Sequence, residues 1–473
     1  MRVACLLLRW IDVKQTVKFY RPHKQPPGNG RRPSWRDYQV QLKRRGRGRL
    51  NWHLLLKRAG VIAAAFLVAL WAINHAPDNT PPPSTTPRPA LAAVDMATGP
   101  LLSKADVQDL LADRPLSDLL GKRFFIHWGD QKLAVDPSID TTLQQYLHER
   151  LYERTSRYIA IVVMEVTSGR ILAMIGFDKS NPDGNPCLSP RFPAASIFKI
   201  VTAGAAMEHC DLSSRSALTY NGAKHTLYKS QLKNINNRYT HQTTLAASFA
   251  QSVNPVFGKL GSHCLGREAL EQYAAAFGFN RAIPFELTMA PSLAAVTSDP
   301  YQWAEVASGF NRKTVISPLH GALLAAVAPN EGILLEPTIV DRITGPKGQI
   351  LYRSGQTQEN RAVTPQTARE IGRLMRETVS QGTARKIFRN SHKDHVLSQL
   401  VIGGKTGSID NAKHDARYDW FVGFARHPES HQAIAVSVLV AHEKYIGRRA
   451  GEYARMAIHE YFRPRVAAAR KKS

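Results

Sequence analysis

The stretch Phe192–Glu208, FPAASIFKIVTAGAAME, contains the pattern from which the fold of the chain is predicted. Ser196 and Lys199 stand three residues apart, so both side chains lie on one face if the segment is helical. A helix is favoured because apolar residues continue beyond Lys199 without a proline, while Pro193 stands where a helix entry tolerates it. Ser196 is then expected in the first turn, at the positive end of the helix dipole.

Two further strings, Ser252-Val-Asn254 and Lys405-Thr406-Gly407-Ser408, complete a set that can activate a serine without histidine. A serine hydroxyl is a weak nucleophile near neutral pH, so a neighbouring base must take its proton. Lys199 can act as that base if burial and a nearby positive charge lower its pKa from about 10.4. Lys405 is the predicted source of that charge.

Ser252 and Asn254 have predicted roles beside this pair. Ser252 can relay a proton between Lys199 and a leaving group, and the amide of Asn254 can hold both Lys199 and a substrate amide. Taken alone, Ser-x-Asn before Pro255 is more typical of a turn or a helix cap. The combination of all three strings in this order is what favours a catalytic interpretation.

The third string is expected to bind the substrate. Lys405 provides a fixed cation for a carboxylate, with the hydroxyls of Thr406 and Ser408 as further donors, and Gly407 lets a substrate approach the backbone closely. The main-chain N–H groups of Ser196 and Ser408 are the natural pair for an oxyanion hole.

The three strings match the S-x-x-K, S-D-N and K-T-G motifs of penicillin-binding proteins and class A β-lactamases, with Val253 in place of the aspartate. Over about residues 135–463 the chain resembles a monofunctional, class B-like penicillin-binding protein transpeptidase. The resemblance extends to Ile159–Met174, Ile316–Pro337, Met375–Ala384 and Trp420–Phe424.

The resemblance implies a peptidoglycan D,D-transpeptidase. Ser196 attacks the D-Ala-D-Ala bond of a stem peptide, an amine from a neighbouring stem resolves the acyl-enzyme, and β-lactams acylate the same serine. Implied partners are stem peptides or lipid-linked precursors and a glycosyltransferase in a cell-wall synthesis complex, with no nucleic acid. The alternatives are a D,D-carboxypeptidase that uses water as acceptor and a non-catalytic cell-wall assembly scaffold.

A β-lactamase is disfavoured because no E-x-x-x-N stands between the second and third strings, which are about 150 residues apart. The chemistry calls for no cofactor. No C-x-x-C or His/Cys cluster indicates a metal.

An α+β fold, an antiparallel sheet flanked by helices, is predicted for a transpeptidase domain at residues 136–465. Strand patterns at Tyr158–Val166 and Arg170–Ile175 form a hairpin signal, and strands return only after Leu400. The intervening stretch is mostly helical. In this layout Lys405 lies on an edge strand, to which a peptide substrate can add as a further strand.

The N-terminal part of the chain carries a separate signal. The net charge is +26, and residues 1–58 hold sixteen Lys and Arg against two Asp, a net of +14. The apolar run Ala59–Ile73 follows, so residues 59–76 are predicted to be a transmembrane helix. The basic tail at 1–58, expected to be disordered, is then cytoplasmic, and the catalytic domain lies outside the inner membrane.

Residues 77–99 are predicted to be a proline-rich linker, residues 100–135 a small pedestal and residues 466–473 a basic tail. Three cysteines, Cys187, Cys210 and Cys264, fall on the extracytoplasmic side, where oxidation can occur. A Cys210–Cys264 disulfide and buried free thiols are both compatible with the sequence.

Overall fold

The computed structural model describes residues 102–356 and 360–470. The predicted tail, membrane helix and linker at residues 1–99 lie outside the described residues, as do the last three residues of the predicted C-terminal tail. In the described part of the chain, no helix has the length and apolar character needed to span a bilayer.

The described residues contain fifteen strands, several of them only two residues long. In chain order they are β1 (Phe124–Trp128), β2 (Gln131–Pro137), β3 (Ser156–Glu165), β4 (Ile171–Asp178), β5 (Phe192–Pro193), β6 (Ala217–Asn221), β7 (Thr240–Thr244), β8 (Val315–Ile316), β9 (Ile333–Leu334), β10 (Val340–Thr344), β11 (Ile350–Arg353), β12 (Asn360–Arg361), β13 (Val401–Asp410), β14 (Arg417–Arg426) and β15 (Ala433–His442).

Twelve α-helices accompany them within the same residues. They are α1 (Lys104–Leu111), α2 (Leu116–Leu119), α3 (Thr141–His148), α4 (Lys199–His209), α5 (Leu245–Ala250), α6 (Asn254–Lys259), α7 (Gly266–Ala276), α8 (Pro300–Ser308), α9 (Pro318–Val327), α10 (Pro365–Ser380), α11 (Arg385–Phe388) and α12 (Ala450–Arg470).

The central sheet has five antiparallel strands in the order β13-β14-β15-β3-β4. All ten residues of β15 are buried, because α9 packs against it in one core and α12 in another. This double burial explains why the strand is apolar on both faces, with Ser437 and His442 as its polar residues, instead of alternating between apolar and polar. The predicted α+β class with an antiparallel sheet is confirmed.

A second sheet, of order β1-β2-β10-β11, combines the predicted pedestal region with a hairpin from much later in the chain. Asp136 on β2 joins the two parts, because it accepts hydrogen bonds from Arg123 and from Arg342 on β10. β10 and β11 were not predicted from the sequence, because they are short and carry several charged residues.

A helical lobe between β4 and β13 carries the first two of the three strings. In this lobe, a disulfide joins Cys210, which follows α4, to Cys264, and the two Cα atoms are 6.3 Å apart. Cys187 is a buried free thiol. Cys264 lies in a π-helical segment, Leu260–Leu265, that continues α6. The disulfide therefore ties the helix after Ser196 to the helix that begins at Asn254.

Replacing Cys210 with serine is expected to lower the free energy of unfolding by about 2–4 kcal/mol, because the bond closes a loop of 54 residues' separation. Urea unfolding with and without dithiothreitol measures the effect. Reductant should shift the wild-type midpoint and leave that of the variant unchanged. A wild-type midpoint that ignores reductant would contradict this assignment.

Candidate active site

The turn that contains Ser196, which we call the nucleophile turn, is held in place by contacts with residues outside the three strings. Ser196 lies in a 3₁₀ turn, Ala195–Phe198, and α4 begins only at Lys199. This corrects the expectation of an α-helical first turn, since Ala195 has a φ of 47° that regular α-helix cannot accommodate. The indole of Trp420 on β14 donates to the Pro193 carbonyl at 3.0 Å and fixes the entry to the turn.

Lys199 lies at the centre of the site and its side chain is fully buried. Its Nζ donates to Ser196 Oγ at 2.9 Å, to Asn254 Oδ1 at 2.8 Å and to the Ser308 carbonyl at 2.5 Å. Burial, and then the charge of Lys405, hold the pKa of Lys199 well below its usual range. A neutral amine beside a serine hydroxyl is an arrangement that can take the hydroxyl proton.

Ser252 connects this group to the third string. Lys405 Nζ donates to Ser252 Oγ at 3.1 Å and to the Thr406 carbonyl at 2.9 Å. Lys405 is also fully buried, which lowers its pKa to about 7. Ser252 adopts a φ of 55°, a rarely populated region for a serine, and this conformation directs the turn between α5 and α6 into the site.

The third string lies in the middle of β13. β13 is one of the two edge strands of the central sheet, so Lys405 lies on an edge strand, as predicted. Thr406 Oγ1 lies 2.5 Å from Thr383 Oγ1, and Ser408 Oγ accepts a hydrogen bond from Arg417 Nε at 2.8 Å. Both hydroxyls of the string are therefore oriented by partners that the sequence did not indicate.

A cavity of about 740 Å³ connects the three strings. Its wall includes members of each of them together with residues from β14 and from the start of α12. Among these lining residues are Ser196, Ser252, Asn254, Thr406, Gly407, Ser408, Arg417, Asp419 and Arg449. The cavity brings together every site residue predicted from the sequence except Lys199 and Lys405, which lie buried behind it.

His225 is a wall residue that the sequence analysis missed. Its carbonyl accepts from Asn254 Nδ2 at 3.1 Å, and the carbonyl of the preceding Lys224 accepts from the Asn254 main chain at 2.7 Å. Burial lowers the pKa of the imidazole, and the charges of Lys199, Lys405 and Lys224 lower it further. The segment clamps Asn254 in place, and no local motif marks it because the contact spans 29 residues.

Gly309, which ends α8, is the second missed residue. Its φ is +67°, and a Cβ on it would stand 1.9 Å from the Ala195 carbonyl oxygen and 3.0 Å from the Ser196 nitrogen. Because Gly309 has no side chain, the end of α8 packs closely against the nucleophile turn. The Ser308 carbonyl therefore accepts a hydrogen bond from Lys199. A glycine at a helix end was the one sequence signal available.

Gly309→Ala is expected to destabilise the fold by about 1–3 kcal/mol and to slow acylation of Ser196, because the new methyl group displaces the nucleophile turn. Gly129→Ala is the control, since Gly129 also has a positive φ, of +56°, with no atom within 4 Å of the added Cβ. Thermal unfolding and penicillin labelling measure both effects. Equal labelling rates in the two variants would contradict the packing argument.

The fold and the site together define a serine acyl-transferase in which a buried lysine faces the nucleophile. The family model that matches residues 159–460 is the penicillin binding protein transpeptidase domain. The chain belongs to this family.

The relatives agree with that membership. The chain is 25% identical over 389 residues to peptidoglycan D,D-transpeptidase PbpA of Mycobacterium tuberculosis, covering 74% of each chain. It is 24% identical to PbpA of Mycolicibacterium smegmatis, over 64% of this chain and 67% of the relative.

Solved structures show the same fold. The crystal structure of PBPA from Mycobacterium tuberculosis aligns with a TM-score of 0.57 and 24% identity, over 69% of this chain and 80% of the other. Penicillin-binding protein 3 from the same organism, complexed with aztreonam, aligns with a TM-score of 0.59 and 18% identity, over 80% and 89%.

Proposed function

We propose that the chain is a peptidoglycan D,D-transpeptidase that forms an acyl-enzyme at Ser196 and is acylated there by β-lactams. The observation that carries the proposal is the buried Lys199 amine, which lies 2.9 Å from Ser196 Oγ and is fixed on its other sides by Asn254 and Ser308. The related Mycobacterium tuberculosis protein, PbpA, is named as a peptidoglycan D,D-transpeptidase.

Acylation begins with transfer of the Ser196 proton to Lys199. Because burial and the charge of Lys405 lower the pKa of Lys199, more of its amine is neutral than in an exposed lysine, and the 2.9 Å contact then allows the hydroxyl to donate. Ser196 Oγ attacks the carbonyl of the penultimate D-Ala. The main-chain N–H groups of Ser196 and Ser408 receive the oxyanion, and the leaving amine takes a proton through Ser252.

The substrate binds along the open edge of β13. Its terminal carboxylate lies against the hydroxyls of Thr406 and Ser408, and Lys405 supplies positive charge behind them. Arg417, which donates to Ser408, adds a second cation at the same wall. An edge strand offers unpaired main-chain groups to a peptide, and the cavity provides room for its side chains.

The acyl group is then transferred to an amine of a second stem peptide. Incubation of the protein with a D-Ala-D-Ala stem donor and an amine acceptor tests this step. We expect a cross-linked dimer and one released D-Ala per cross-link. Release of D-Ala without dimer would make the chain a carboxypeptidase, and neither product from a folded protein would make it a scaffold.

The pH dependence of acylation follows from the two buried lysines. Protonation of Lys199 stops proton abstraction, so kcat/KM for benzylpenicillin should fall as the pH drops. Loss of the Lys405 charge weakens carboxylate binding, so the rate should fall again above about pH 7. A stopped-flow profile between pH 4 and 10 is the measurement, and a rate that rises steadily to pH 10 would contradict it.

Lys405→Met is the matched variant for this profile. Removing the Lys405 charge relieves the repulsion that helps to lower the pKa of Lys199. The acid limb of the profile should therefore move to higher pH, and the alkaline limb should disappear.

We further propose that residues 59–76 anchor the chain in the inner membrane with the catalytic domain outside the cytoplasm. The net charge of +14 in residues 1–58 and the apolar run behind it support this topology. Glycan polymerisation is assigned to a partner glycosyltransferase. Protease accessibility in spheroplasts tests the topology, and a catalytic domain protected from added protease would contradict it.

A further inference from the structure

A second cavity, of about 540 Å³, adjoins the active-site cavity. Lys386, Ile387 and Glu452 line both of them, so the second cavity lies directly beside the first, between α11 and α12. We call the second cavity the basic cleft. Nothing in the three catalytic strings extends into it.

The basic cleft is strongly positive. Four permanent cations line it, namely Lys386, Arg389, Arg448 and Arg455, against the two carboxylates of Asp394 and Glu452. His459 lies on the same wall. A concave surface with this balance attracts an anion more strongly than the same charges on an open face.

The two carboxylates are already engaged by the protein. Asp394 accepts from the main-chain N–H groups of Val396 and Leu397 at 3.0 and 3.1 Å, and Glu452 accepts from the Arg449 N–H at 2.7 Å. Arg455 Nη2 comes no closer than 3.6 Å to Asp394, which is beyond a hydrogen bond.

Several hydrogen-bond donors that line the basic cleft have no acceptor within the described residues. Among residues 102–356 and 360–470, Arg455 Nε is a buried nitrogen without a hydrogen-bond acceptor. Within the same residues, the side chains of Lys386 and Arg389 have no hydrogen bond or ion pair and are exposed. The Lys386 ammonium and the Arg389 guanidinium can therefore donate charge-assisted hydrogen bonds to a bound anion, whereas Arg455 Nε has no accessible surface and Arg455 contributes through the charge of its guanidinium.

We propose that the basic cleft binds a free carboxylate of a stem peptide, away from the scissile D-Ala-D-Ala bond. The inference rests on the proposed function and deepens it, because it assigns the substrate class to acidic stem peptides. A planar carboxylate suits the fork of an arginine, and the position of the basic cleft beside the active-site cavity lets one extended peptide contact both places.

The test compares matched substrates on matched variants. Arg389→Gln/Arg455→Gln removes two cleft cations that lie outside the active-site cavity, and Arg369→Gln/Arg376→Gln removes two exposed cations from α10 as a control. Each protein is assayed with stem peptides whose side carboxylate is free or amidated, first in the donor and then in the acceptor. Benzylpenicillin acylation is measured in parallel.

We expect the cleft variant to lose at least about tenfold in kcat/KM with the free carboxylate and to match the wild type with the amide. An effect in the donor arm places the donor stem in the basic cleft, and an effect in the acceptor arm places the acceptor there. Penicillin acylation and the α10 control should stay at wild-type rates.

Equal rates for free and amidated peptides in the wild type, or equal losses for both in the cleft variant, would overturn the inference alone. A wild type that is acylated by penicillin but produces neither D-Ala nor dimer from any stem peptide would overturn the proposed function, and this inference with it.

Discussion

Replacing Lys199 with glutamine is expected to lower the rate of Ser196 acylation by about 10²–10⁴-fold, the range that a positioned general base contributes. Glutamine keeps the length of the side chain and can donate to Asn254 or Ser308, but it cannot accept and store the serine proton. Stopped-flow acylation by a chromogenic cephalosporin measures the rate constant. Affinity before acylation should change little, because Lys199 lies behind the cavity wall.

Stability separates this loss from misfolding. A buried amine costs free energy whenever it is protonated, and the neutral amide of glutamine removes that cost. Lys199→Gln should therefore unfold at the same temperature as the wild type or higher. A wild-type acylation rate in the folded variant would show that another group takes the serine proton.

Ser196→Ala is expected to abolish covalent labelling by a fluorescent penicillin altogether. Ser252 is not expected to replace Ser196 as the nucleophile, because its Oγ accepts a hydrogen bond from Lys405 Nζ. The variant should still bind the antibiotic reversibly, since Thr406, Ser408 and Arg417 remain at the carboxylate wall. Competition with a reporter ligand measures that residual affinity.

Covalent labelling that persists in Ser196→Ala would place the nucleophile elsewhere. Ser252→Ala is the matched comparison, because it removes the second serine of the site and leaves the first. We expect it to be labelled more slowly than the wild type, yet to completion.

The sequence was sufficient to predict how the three strings converge, because each is local and its chemistry is specific. The spacing of Ser196 and Lys199 placed two side chains on one face, and the return of strand patterns after Leu400 placed Lys405 on an edge strand. The structure agrees on both points. It also brings Lys405 close enough to Lys199 for its charge to lower that pKa.

The partners that orient these residues could not be predicted, because their contacts join positions that are remote in the chain. The Ser308 carbonyl is a main-chain group and leaves no side-chain signal, although it lies 2.5 Å from Lys199 Nζ. His225 approaches Asn254 from a loop without periodicity. The strand β10 was missed for a related reason, since it pairs with the distant β2, and β11 is held in the sheet only by its pairing with β10.

Peptide mass mapping after brief exposure to benzylpenicillin shows which residue carries the acyl group. We expect one penicilloyl group per chain, located on the peptide that contains Ser196. If a folded protein acquires the group on another residue, or acquires none, Ser196 is not the nucleophile.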